Sequence, residues 1–85
     1  MKRIFKEDQK FIISHQKFKD LRKKYGRDIS MANGYAISVL NLESWLISLN
    51  EVCVSDIMAE CRIKYEIAND VMNILVKRNV LKFSN

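Results

Sequence analysis

The side chains that could carry chemistry in this sequence are few and scattered. His15 is the only histidine, and no acid or nucleophile stands at a spacing that would make it a general base. Cys53 and Cys61 lack the second Cys-x-x-Cys or histidine pair that a zinc ion needs, and two cysteines are too few for a secreted disulfide scaffold. They read as reduced thiols of an intracellular, cytoplasmic protein. The carboxylate pairs Glu7/Asp8 and Glu66/Asp70 fall on expected helix surfaces as solvated charge. With Gly26 and Gly34 as the only glycines, a glycine-rich phosphate loop cannot form. The expectation is no enzyme, no metal and no cofactor.

What remains is charge. Fifteen Lys and Arg against ten Asp and Glu give +5 over 85 residues, which favours an anionic partner such as nucleic acid. The excess is one-sided. Residues 1–28 hold ten basic and four acidic side chains, a balance of +6, while residues 29–85 hold five and six, a balance of −1.

The elements that must position these charges follow from composition and period. A chain this short holds one small core, and with no proline and two glycines it favours helices over tight turns and bent sheets. No apolar run approaches the roughly 20 residues of a membrane span, and the basic N-terminus lacks a signal peptide's apolar stretch. Phe11, Phe18, Leu21 and Tyr25 share one face of a helical wheel, with Lys6, Lys10, Lys17, Lys23 and Lys24 turned away. This predicts a basic amphipathic helix over Glu7–Tyr25 that stops at Gly26. It reads equally as a packed helix with a solvated face or as a phosphate-facing or dimerisation arm.

Arg27–Gly34 reads as a connector with a turn at Asn33-Gly34, and Tyr35–Asn50 as a largely buried helix with Trp45 in the core. Val52-Cys53-Val54 suggests a short strand, and Ser55 an N-cap for a helix through Cys61. A turn at Arg62-Ile63-Lys64 leads to a longer helix from Tyr65 to Arg78, ended by a left-handed Asn79, and Val80–Phe83 reads as a last strand. Ile57, Ile63, Ala68, Met72 and Leu75 stand where a helix-turn-helix locks its two helices together. This order predicts a mainly α fold: a winged helix-turn-helix domain over 29–85, preceded by a basic helical extension over 1–28. The three-helix core would carry a short two-strand pairing between Val52–Val54 and the last strand. Only two residues follow Phe83, so the wing is expected to be reduced or absent.

Arg62-Ile63-Lys64-Tyr65-Glu66-Ile67-Ala68-Asn69-Asp70, within the stretch Val54–Leu81, resembles the gamma domain of FtsK-type DNA translocases, whose turn and recognition helix read Arg-Ile-Gly-Tyr-Asn-Arg-Ala-Ala-Arg. Arg62, Ile63, Tyr65 and Ala68 match. The likeness covers about a third of the chain and implies a winged helix. The family's polar reading residues fall at Glu66, Ile67 and Asp70, so its DNA-reading function does not carry over. Carboxylates there would be repelled by phosphate.

Two functions fit this pattern. The first is a small DNA-binding protein, a homodimer serving transcription regulation or replication and partition, with double-stranded DNA as its partner. Arg62, Lys64, Tyr65, Asn69, Asn73 and Lys77 would offer backbone and limited base contacts, and Lys17, Lys23 and Lys24 would supply phosphate attraction. The second is a protein-interaction module using Glu66, Ile67, Asp70 and Ile74. If Ala68, Val71, Met72 and Leu75 face inward, Ile67 and Ile74 lie outward as an apolar pair. A small rotation of the helix would instead bury both under the N-terminal helix.

Overall fold

The computed structural model describes residues 2–84, and it departs most from expectation at the N-terminus. Phe11–Ile13 form a strand, β1, where the middle of a helix was expected. Phe11 and Ile13 are buried with Ile12 exposed between them, the two-residue alternation of a strand. A 3₁₀ turn at His15–Lys17 leads into α1 (Phe18–Tyr25), so the expected Glu7–Tyr25 helix survives only in its last two turns. Phe18 and Leu21 form the buried edge of α1, and Gly26 ends it at φ 69° with its N–H on the Arg22 carbonyl.

The expected connector is a hairpin, β2 (Asp28–Ser30) paired antiparallel with β3 (Ala36–Ser38) across a 3₁₀ turn at Ala32–Gly34. Each strand contributes one isoleucine, Ile29 or Ile37, to the core. Ser38 then caps α2 (Val39–Leu46), its Oγ accepting the Asn41 N–H. β4 (Glu51–Val52), α3 (Val54–Cys61), α4 (Tyr65–Lys77) and β5 (Leu81–Phe83) complete the chain. The cap of α3 is Cys53 rather than Ser55. Asp56 reaches back to the Cys53 N–H at 3.0 Å, which closes a capping box from an unusual residue. Arg62 takes the left-handed conformation between α3 and α4, and Asn79 takes it after α4.

β4 and β5 were expected to pair with each other. Instead β1 lies between them, antiparallel to both, with Phe11 opposite Val52 on one side and Phe83 on the other. Helices account for about half of the chain, as a mainly α fold requires, but among the described residues four helices are joined by a three-stranded sheet and a hairpin where one short two-strand pairing was expected. The segment expected as an extension supplies Phe5, Phe11, Ile13, Phe18 and Leu21 to the same core as Ile57, Ile63, Ala68, Met72 and Leu75. Met1 and Asn85, the outer ends of the two expected segments, lie outside the described residues.

Candidate nucleic-acid interface

The two ends of α4 are built differently. From its first residue to just past its middle, Tyr65, Asn69 and Asn73 recur every four residues and so share one face. Residues 2–5 lie across that face as a strap. Asn69 Oδ1 accepts the Phe5 N–H at 3.0 Å and its Nδ2 donates to the Arg3 carbonyl at 2.7 Å. Asn73 accepts the Arg3 N–H at 2.9 Å and donates to the same carbonyl at 2.8 Å. The Tyr65 hydroxyl donates to the Phe5 carbonyl. Lys2 Nζ stands 2.9 Å from Asp70 Oδ1 but off hydrogen-bond alignment, so that pair is Coulombic.

These contacts correct several site expectations. Asn69, only 2% exposed, and Asn73 hold backbone and are not free to read base edges. Tyr65 is half-buried in the same contact. Ile67 is buried at 5% and Ile74 is half-buried against the core, so the expected outward isoleucine pair does not exist. Asp70 faces Lys2. Arg62, Lys64 and Glu66 remain exposed at the α3–α4 turn, and Lys17 is exposed on its 3₁₀ turn.

At the other end of α4 the cations gather. Lys23 and Lys24 of α1 line an open cleft of about 370 Å³ with Lys77 and Arg78, which are more than 50 positions away in sequence. Asp20 is the one acid on its walls. Among the described residues, no ion pair engages any of these four cations. Arg22, by contrast, is hydrogen-bonded to Glu43, which pushes its guanidinium further up from an already high value. The C-termini of two helices meet at this cleft, and each brings about half a negative charge. After these and Asp20, about two positive charges remain uncompensated. Sequence reasoning reached Lys23, Lys24 and Lys77 but missed Arg78. The basic pair in the last turn of α4 was the available signal.

A second groove of about 500 Å³ adjoins the first through Lys77 and is lined also by Lys2, Arg3, Asn73, Ile74, Val76 and Phe83. The Arg3 guanidinium lies 5.3 Å over the Phe83 ring.

A larger cleft, about 670 Å³, lies elsewhere, between β3, α2 and the end of α3. Its walls include Trp45, which is half-buried beside the core, and Cys61. Burial, then the neighbouring Glu60, pushes the Cys61 thiol up, away from the thiolate that a nucleophile requires. His15 Nε2 is spent on the Leu49 carbonyl at 3.1 Å. Among the described residues, no three His, Cys, Asp or Glu side chains gather as a metal site, and no helix is long and apolar enough to cross a membrane. No protein-family model, curated protein or solved structure matches this chain.

Proposed function

We propose that this protein is a DNA-binding module on a winged helix-turn-helix plan that grips the duplex backbone at the C-terminal end of α4. The observation that carries this reading is the convergence of Lys23, Lys24, Lys77 and Arg78 on one cleft, with no ion pair to any of them among the described residues and a single acid on the walls. A polyanion is the ligand that such a surface attracts. The order α2, β4, α3, tight turn, α4, β5 supports the winged-helix plan, with β1 supplying beside β5 a strand that a wing hairpin would otherwise contribute. In this reading α4 does not enter the major groove along its length, because the strap covers the face that carries Asn69 and Asn73. Binding is then mainly sequence-independent.

The alternative, a partner-binding helix using Glu66, Ile67, Asp70 and Ile74, has less to rest on, since Ile67 is buried and Asp70 holds Lys2. Titration of a duplex across a salt series tests the DNA reading. Four phosphate contacts give a slope of log K against log salt of about −3.6. Changing Lys23, Lys24, Lys77 and Arg78 together to Gln should flatten that slope and abolish binding at moderate salt. A variant that binds duplex like the unaltered protein overturns the assignment.

A further inference from the structure

We infer that the groove beside the basic cleft takes an unpaired base, so that the preferred ligand is DNA with a single-stranded portion rather than a closed duplex. This rests on the DNA reading above and narrows it. Three features of the groove point the same way.

Its floor is apolar and partly aromatic. Ile74 and Val76 are half-buried, while Phe83 leaves 41% of its surface open on the edge strand β5. The open ring is a flat aromatic surface on which a base can stack, and the Arg3 guanidinium already lies over it. The ring is also held in place from behind, its centroid 5.2 Å from Phe11 and 6.0 Å from Phe5. A preset ring loses little freedom when a base stacks on it.

Cations flank that floor. Arg3 lies over the ring and Lys2 lies on the strap, while Lys77 belongs to both grooves at once. A strand whose phosphates lie along Lys23, Lys24 and Lys77 would therefore bring its next nucleotide to Phe83. There the base meets the guanidinium plane of Arg3 or, once Arg3 turns to a phosphate, the ring itself. Single-strand sites combine these two elements, a basic track and an aromatic platform. An acidic peptide would be served by the cations alone and would gain nothing from the exposed ring.

The third feature is that the groove offers a base edge no uncommitted amide. Asn73 lines the groove and Asn69 stands one turn before it on α4, and both amides are engaged by the strap backbone. Stacking without edge contacts accepts any base, so the site should show little sequence preference.

The test compares a blunt duplex with the same duplex bearing a short oligo-dT tail, on either end, by fluorescence anisotropy at one salt concentration. The tailed duplex should bind about tenfold more tightly, near the low end for stacking one base. Phe83→Leu keeps apolar packing but removes the aromatic face. It should erase the tail preference and leave blunt-duplex affinity unchanged, with a melting curve confirming the fold. Arg3→Ala, at an exposed side chain, should reduce the preference severalfold and gives a second variant should Phe83→Leu fail to fold. Equal binding of tailed and blunt duplex overturns this inference and leaves the DNA reading standing. So does a tail preference that survives both substitutions. Failure to bind either DNA overturns the DNA reading itself.

Discussion

α4 spends one face, from Tyr65 to Asn73, on structure and leaves its C-terminal end for charge. Along that face, Asn69 and Asn73 replace the hydrogen bonds that the backbone of Arg3 and Phe5 would make to water, and Phe5 enters the core. At the far end, Lys77 and Arg78 meet Lys23 and Lys24 without an ionic partner among the described residues. A helix need not be open to a partner along its whole length. What sits on each face decides which part is free to bind, and here residues 2–5 have already taken the central part.

The largest effect that would break this contrast comes from the strap. Phe5→Ala removes a ring that is 4% exposed and packs edge-on against Phe11 at 4.9 Å. A truncation of this kind costs about 3–5 kcal/mol, a large share of the stability of so small a domain. The melting temperature should fall by more than about 10 °C. Lys23→Gln or Lys24→Gln should leave it within a few degrees, since exposed side chains contribute about 0.5 kcal/mol or less. If Phe5→Ala melts like the unaltered protein, the strap is incidental and the central face of α4 is open after all.

A smaller effect compares the two ends directly. Lys64 and Lys77 are both exposed lysines flanking the same helix. Lys77→Gln should weaken duplex binding severalfold and reduce the salt slope by about 0.9, whereas Lys64→Gln should change neither appreciably. The reverse result would move the interface to the α3–α4 turn.

Sequence reasoning reached much of this molecule, and the reasons differ by region. α4 and β5 were legible because Ala68, Met72 and Leu75 repeat at helical spacing and Asn79 marks the stop. β1 was hidden because Phe11 fits both periods: it lies on the helical stripe with Phe18 and Leu21, and it also alternates with Ile13. Only its partners Val52 and Phe83, 41 and 72 positions away, decide between the two. β2 and β3 carry one buried residue each, too few to show a period. The roles of Asn69 and Asn73 were not legible at all. Asparagine on a helix face reads as a base-edge donor, and nothing nearby reveals that backbone more than 60 residues upstream claims it. Lys23 and Lys24 were picked out on the polar side of a helical wheel and Lys77 on the outer face of the helix from Tyr65, and that they converge on one cleft depends on tertiary packing.

The smallest effect belongs to Asp70, the one ionic contact between strap and helix among the described residues. Its partner Lys2 is 57% exposed, and the contact lacks hydrogen-bond alignment, so Asp70→Asn should shift stability by less than about 1 kcal/mol. The Asn69 and Asn73 hydrogen bonds do not depend on it and should hold the strap in place. DNA affinity should nonetheless rise about twofold at low salt, because Lys2 loses its internal counter-charge on the wall of the second groove. At 1 M salt, where screening acts within about 3 Å, that gain should vanish. A large loss of stability would instead make charge the latch, and the strap would then loosen with salt under the very conditions that weaken phosphate binding.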